Sequence, residues 1–359
     1  MSLSKFKLLK LYVRNKRFLP ATFFLAGFLF DILTLGRIDD LSNIIMQVLY
    51  LGAALATLTI ELKNLHKSET QVRPLQLFYQ YHDEIYHFLV GGLLSIYTLF
   101  FFKSASALSS LIFLLFMFSV LIINEFDSIK KSGKTFRMIL FFICLTCFSF
   151  LITPLMLGHV GFLVFFLSLV LSAILSALII WLWSKDNGHN LKKMIMIPSS
   201  ILGIFTLLYL VKLIPPIPMA LEKIGIYHKV DKEYPVYYLH HQKPWWKFWH
   251  SGDQDFLAGN DDKVYVFARI FSPGGFKDQV YLNWQVYQEG EWKSSDRIPM
   301  TITGGREKGF RGYAFKSNYV PGEWRVLVET KGGREIGRIS FDIEKQDIDN
   351  SNFKVELDQ

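Results

Sequence analysis

The sequence predicts a membrane α-helical bundle of about seven transmembrane helices, followed by a C-terminal all-β immunoglobulin-like sandwich. Three observations carry that reading. Apolar stretches long enough to cross a bilayer fill the first two-thirds of the 359 residues and then stop. Lys and Arg gather in alternate gaps between those stretches. From Lys263 onward the apolar spacing changes to a period of two, punctuated by glycine and proline turns.

The expected spans are 18–35, 41–60, 86–102, 105–124, 137–157, 160–183 and 194–213. Runs of this size cover ~30 Å of hydrocarbon at ~1.5 Å per residue. Helices are the required geometry, because a backbone in lipid has to satisfy its own polar groups. Lys5, Lys7, Lys10, Arg14, Lys16 and Arg17 precede the first span, and Lys63, Lys67 and Arg73 follow the second. Lys130, Lys131, Lys134 and Arg137 follow the fourth, and Lys185, Lys192 and Lys193 the sixth. The other gaps hold only Arg37, Lys103 and Lys212. This bias puts the N-terminus in the cytoplasm of an inner-membrane, multi-pass protein and the region after the seventh span outside it. The basic start is read as an uncleaved signal anchor, since no small-x-small site follows Leu35. The chain then divides into a basic cytoplasmic N-terminus (1–17), a seven-helix domain (18–218), an aromatic connector (219–262), an exported sandwich (263–343) and a flexible acidic tail (344–359).

The net charge of +8 invites a nucleic-acid reading, which its distribution removes. Residues 1–219 carry 19 Lys plus Arg against 10 Asp plus Glu, whereas 220–359 carry 20 against 21. The excess belongs to membrane topology and to contact with the lipid bilayer; a nucleic-acid footprint needs a basic face on a soluble domain. The two cysteines, Cys144 and Cys147, form a C-x-x-C string in mid-span, where thiols stay protonated and pack as small apolar groups. The exported part has no cysteine, so its core holds without disulfides.

Polar residues in and beside the spans are the first site candidates. Asp31 lies in the outer part of the first span, with Arg37, Asp39 and Lys103 expected on the same side. A carboxylate at that depth requires a partner or water, and is a functional-site candidate by default. The expected partner is Arg37 or Lys103, in a salt-bridge cluster that joins two hairpins. A second group, Asp83, Glu84, His87 and Glu125, marks the cytoplasmic side. Its His82-Asp83-Glu84-Ile85-Tyr86-His87 order is not the His-Glu-x-x-His zinc spacing, and acidic residues suit a helix N-terminus. No metal is expected there.

In the exported part, Pro215-Pro216-Ile217-Pro218 ends the last span. Trp245, Trp246 and Trp249 follow in a short aromatic run that suits a membrane interface, a capped core or a ligand platform. Val264, Val266, Ala268 and Ile270 alternate with polar and aromatic neighbours, as do Val280, Leu282, Trp284 and Val286. Trp324, Val326 and Val328, then Ile339, Phe341 and Ile343, repeat the pattern. Turns at Pro273-Gly274-Gly275, Glu289-Gly290, Gly304-Gly305, Pro321-Gly322 and Gly332-Gly333 separate the strands. On this register Tyr281 and Tyr313 point outward, and with the three Trp residues they make the candidate binding face. No nucleophile elbow, triad or phosphate-cradling loop is present, so neither catalysis nor a cofactor is expected.

The stretch Val280-Tyr281-Leu282-Asn283-Trp284, then Gly290-Glu291-Trp292, Tyr313 through Ser317, Pro321 through Val328 and Gly337 through Ile343 resembles the domain-of-unknown-function family 2914. Phe30–Asp39 resembles the membrane half found with that domain in some Gram-negative bacteria. The resemblance implies a fold and a compartment, and no activity. The expected function is therefore presentation of an exported sandwich that binds an envelope protein or glycan, with a sensing or scaffolding role. The alternative is a small secondary transporter or channel built around Asp31.

The topology has a direct test. Reporter fusions after Lys67, Lys134 and Asn187 should read as cytoplasmic, and fusions after Asp40 and Gln359 as exported. An exported signal at Lys134 overturns the seven-span arrangement.

Overall fold

A computed structural model describes residues 28–29, 31–63, 81–106, 110–126, 133–185, 190–259, 262–303, 309–345 and 353–358. The basic N-terminus, most of the first expected span, Lys67, Arg73, Lys130, Lys131 and the Gly304-Gly305 turn lie outside the described residues. The chain forms two compact units, one of 1–102, 112–150 and 168–210, the other of 103–111, 151–167 and 211–359.

After helical turns within 28–34 come α1 (Leu41–Leu62), α2 (His82–Lys103), α3 (Leu111–Glu125), α4 (Lys134–Leu157), α5 (Phe162–Ser184) and α6 (Leu191–Leu210). All but α3 are long and apolar enough to cross a membrane, which makes this a multi-pass membrane protein. The fourth expected span is corrected. Its helix starts at Leu111 and has 15 residues, about 22 Å at 1.5 Å per residue. Ala105 and Ser106, expected inside that helix, lie in non-helical chain, where Ser106 is buried. Serine hydroxyls compete for backbone groups and delay a helix start. Aromatic edges fill the helical unit: Phe113 meets Phe101 at 4.7 Å and Phe205 at 6.1 Å, both nearly perpendicular. Cys144 and Cys147 are free thiols, wholly buried.

The second unit is an immunoglobulin-like sandwich. Its strands are β1 (Ala220–Tyr227), β2 (Lys229–Glu233), β3 (Val236–His241), β4 (Asp255–Ala258), β5 (Val264–Phe271), β6 (Lys277–Gln288), β7 (Glu291–Thr303), β8 (Phe310–Lys316), β9 (Gly322–Thr330), β10 (Glu335–Lys345) and β11 (Lys354–Asp358). One sheet has the order β1-β5-β8 and the facing sheet β4-β10-β9-β6-β7. The residues of period two fill the space between them: Val264, Val266, Ala268 and Ile270 from one side, and Val280, Leu282, Trp284, Trp324, Val326, Val328, Ile339 and Phe341 from the other. The alternation read from sequence is the core register.

Two domain boundaries need correction. The expected connector, 219–262, contains four strands. β1 pairs along β5 and sends Ile226 into the sandwich core, Met219 just before it does the same, and β4 adds Phe256 and Ala258. The expected flexible tail contains β11, which pairs with β3 in a third sheet of order β11-β3-β2. Tyr227, Val230, Tyr237 and Leu239 form a second small core with Phe267, which stands on the outward face of β5. A fold cut at 263 and 343 would leave that ring in water.

The end of β11 is held by charge. The buried carboxylate of Asp358 lies 3.2 Å from Arg269 and 3.3 Å from Lys223, and Arg311 donates to its backbone carbonyl at 2.9 Å. Three cations around one acid offset its desolvation.

Loss of a buried Trp costs ~3–5 kcal/mol, a large share of a small domain's stability. Trp324→Ala should therefore unfold the sandwich, read as loss of its cooperative transition by near-ultraviolet circular dichroism of the full chain. A folded variant of unchanged midpoint would contradict the inward register.

Candidate functional site

The most exposed aromatic surface of the C-terminal unit is the loop between β3 and β4. Proline opens it: Lys247 N–H donates to Pro244 O at 3.1 Å and His250 N–H to Lys247 O at 3.0 Å, two successive turns in seven residues. Turns this tight leave no room to fold side chains inward. Trp245 is 86% exposed, Phe248 83%, Trp249 59% and Trp246 50%. The rings brace one another, with Trp249 5.0 Å from Phe248 and 5.9 Å from Trp246, both edge to face. They are an assembled patch rather than scattered surface apolars.

The loop is pinned at its far end. Ile226 N–H donates to Ser251 O at 3.1 Å, and Asp253 N–H returns to Ile226 O at 2.8 Å. Gly252, between them, has φ +74°, and a Cβ there would sit 1.9 Å from Ile226 O. Only glycine fits. Lys243 Nζ donates to His250 O at 2.6 Å, and Lys247 pairs with Asp255.

Beneath the loop lies a hollow of about 220 Å³ lined by His228, Lys247, His250, Asp253, Gln254 and Asp255, among others. His228 is buried and stacks on Phe256 at 4.1 Å. Its Nδ1 is 2.6 Å from Asp262 Oδ2, and its Nε2 3.6 Å from Asp253 Oδ2. Asp253 accepts Gln242 N–H at 2.9 and 3.0 Å. Burial nevertheless pushes its carboxyl up to about 6. The hollow thus places hydrogen-bond acceptors and donors side by side, next to four open rings.

The other candidates of the binding face do not join this patch. Tyr281 stands on the outer face of the five-stranded sheet, beneath the Arg297 guanidinium at 3.9 Å, and Arg297 bonds Glu329 at 2.7 Å. Tyr313 lies on the outer face of β8, 6.2 Å from Tyr265 and 6.4 Å from Tyr237. The outer faces of two opposed sheets point in opposite directions, so Tyr281 and Tyr313 do not form the expected single face with the Trp residues.

In the helical unit the charged candidates are also rearranged. Asp31 accepts from Ser95 Oγ at 2.5 Å, and Arg37 turns to Asp39 with bonds of 2.9 and 3.0 Å. The expected Asp31–Arg37 pair is therefore not formed, because Asp39, two residues away, captures the guanidinium first. Lys103 is exposed at the end of α2. On the other side, Asp83 pairs with Arg137 at 2.6 Å, and the same guanidinium nitrogen meets Glu61 at 2.7 Å. His87 Nδ1 is 2.8 Å from Asn124 Oδ1, Glu125 receives Asn124 Nδ2 at 3.3 Å, and Glu84 faces outward. Asp83 and His87 share a helix but serve different partners. Among the described residues no group of three His, Cys, Asp or Glu is placed to hold a metal.

Sequence reasoning missed Glu61, Arg137, His228, Asp253 and Asp255. Glu61 lies just past the second expected span, Arg137 counts in the sequence only as a topology signal, and the others lie in the expected connector. The one available clue to the hollow was the spacing of His228 and Asp253 around the Trp run.

Residues 277–343 match the family model described as "Protein of unknown function (DUF2914)". The match does not extend into the membrane half, so the likeness read at Phe30–Asp39 has no counterpart in it. No curated protein matches the chain. Among solved structures, an immunoglobulin-like protein from Pseudomonas aeruginosa is similar at 15% identity, over 32% of this chain and 97% of that one, with a TM-score of 0.20. An alkylpurine DNA glycosylase from Pseudomonas fluorescens, bound to DNA, is similar at 9% identity over 86% of this chain and 99% of its own, also at 0.20. The sandwich assignment rests on the strand order and core of this chain.

Asp253 gives a pH test. A carboxyl whose folded pKa is raised binds its proton more tightly folded than unfolded. Its contribution to stability is therefore greatest below the ordinary carboxylate range and falls as pH rises towards about 6. Carbon-detected NMR should place the Asp253 titration near 6, and a midpoint near 4 would show a hydrated site. Gly252→Ala should release the loop from β1, seen as faster amide exchange over 243–255 than in the wild-type protein.

Proposed function

We propose that this is an inner-membrane protein, N-terminus in the cytoplasm, whose exported sandwich binds an envelope glycan through the 244–250 loop. The observation that carries the reading is four exposed, mutually braced rings beside a hollow sized for about one sugar ring. Aromatic faces stack on the C–H faces of sugars, and the adjoining Asp253, Asp255, His250 and Gln254 offer the mixed acceptors and donors that hydroxyl groups require. A flat protein partner would use the rings but leave the hollow unused.

The alternative use of the rings is to rest on lipid; within the C-terminal unit the rings and the helix-connecting segments sit at opposite ends of the strands. The turn after α4 meets the start of β6, where Lys277 N–H donates to Gly158 O at 3.1 Å and Asp278 accepts Val160 N–H at 3.0 Å. Ser106 bonds Glu335 at the start of β10, and Arg334 reaches Ile214 O at 3.3 Å just after the last helix. All of these helix-connecting segments meet one end of the strands. The aromatic loop is tied to the opposite end, where Asp342 N–H donates to Gln254 O at 2.8 Å. From Glu335 to Asp342 along β10 is roughly 23 Å at ~3.3 Å per residue. Leu155 and Val160 pack against the sandwich core, so ligand binding and the helix-end turns share one packed body, which suits a sensing or scaffolding role.

The test is glycan-array and calorimetric binding with the full chain in detergent. Trp245→Ala and Trp249→Ala should each weaken glycan binding at least tenfold, about 1.4 kcal/mol, without shifting the unfolding midpoint. Binding only to vesicles, or only to a protein, would overturn the proposal.

A further inference from the structure

The helical unit holds a second site, independent of the aromatic loop. Asp31 brings a carboxylate into an apolar stretch. Its hydrogen bond comes from the neutral hydroxyl of Ser95, and among the described residues no cation lies within ion-pair distance of it. Arg37 is engaged with Asp39. A carboxylate in this position needs a positive charge that the described side chains do not supply.

Helix register collects more oxygen at the same level. α1 and α2 run antiparallel: Glu61 and Asp83 meet on one guanidinium, and the Tyr50 ring lies against Gly92, where a Cβ would be 3.0 Å from it. Gln47, one turn from Tyr50, therefore stands level with Ser95, and Thr98 follows Ser95 about one turn further along α2. All three are buried. Gln47 Nε2 donates to Asn43 O at 3.1 Å, but Gln47 Oε1 and Thr98 Oγ1 are buried with no hydrogen-bond partner among the described residues. An acceptor left bare in an apolar interior is costly, and two within about one turn of the Ser95 that holds Asp31 form a coherent set.

We propose that Asp31, Ser95, Gln47 and Thr98 bind a sodium ion at the end of the bundle where α1 begins and α2 ends. The donors are a carboxylate, an amide oxygen and two hydroxyls, the hard oxygen set that a dehydrated alkali cation takes. One carboxylate matches one positive charge; a divalent ion would keep an uncompensated charge in the apolar region. A proton on Asp31 would neutralise it but leave Gln47 Oε1 and Thr98 Oγ1 as they are.

The experiment is thermal unfolding of the full chain in detergent, titrated with sodium chloride against choline chloride at constant ionic strength. The midpoint should rise saturably with sodium and not with choline. Asp31→Asn should abolish the rise, and Thr98→Val should raise the half-saturating sodium concentration about tenfold. If Asp31→Asn fails to fold, Thr98→Val, which removes one hydroxyl from a buried site, decides. A wild-type midpoint equal in the two salts overturns the proposal, as does a sodium response that Thr98→Val leaves unchanged. A midpoint that follows pH and ignores sodium assigns a proton to Asp31 and overturns it too.

Discussion

Hydrocarbon supplies no hydrogen bonds, and most of the helical half follows from that single constraint. The backbone satisfies itself by forming helices, which is why every apolar run within the described residues is helical. Side chains that carry polar groups must find one another. Thr146 donates to Phe142 O and meets Ser172 at 3.0 Å; Trp183 donates to Thr59 at 2.9 Å; Tyr86 donates to Arg137 O at 2.5 Å. The Arg137 guanidinium is shared by Glu61 and Asp83, joining α1, α2 and α4 through one group. Buried charges of this kind are costly to break and specify which helices are neighbours. Asp31 is the place where the same rule is met by a lone hydroxyl.

The C-terminal unit answers to a different constraint, the edge and outer face of a small sandwich. The inner faces of its two sheets are sealed by alternating Val, Ile and Trp. The outer face of β1-β5-β8 carries Phe267, Arg269 and Tyr265, which a two-layer sandwich would leave in water. The third sheet covers Phe267 with Tyr227, Tyr237 and Leu239 and neutralises Arg269 through Asp358. The strand that closes the fold is thus one of the last in sequence, and its acid finds three cations already arranged by β1, β5 and β8.

Rigidity at both ends of the sandwich gives the aromatic loop its character. Gly158, with φ +73°, lets the turn after α4 approach Gly275 O, where a Cβ would stand at 2.9 Å. Gly252 does the same for the loop against β1 at the other end. Each glycine permits a close backbone contact that holds a loop to the sandwich. The exposed rings are therefore presented from a braced turn, and the proposed binding there would need little ordering of the protein.

Period and run length, both local properties, were enough to determine the apolar helices of the described membrane half, the sandwich class and the inward register of Val264 to Ile343. A strand's alternation and a span's length are written in neighbouring residues, so no fold is needed to read them. Tertiary structure decided the rest. The strands in 220–258 and 354–358 are short and carry Lys, Glu, His and Asp, so their alternation is masked until a partner strand and a cation cluster give each side chain a reason to be buried. Tyr281 and Tyr313 have the same outward phase in sequence, yet they belong to opposed sheets and cannot share a ligand. Asp31 looked to Arg37 because the chain places them close, but geometry gave Arg37 to Asp39 and left the acid with Ser95, 64 residues away. Which groups meet across the chain is set by packing, and no sequence period records it.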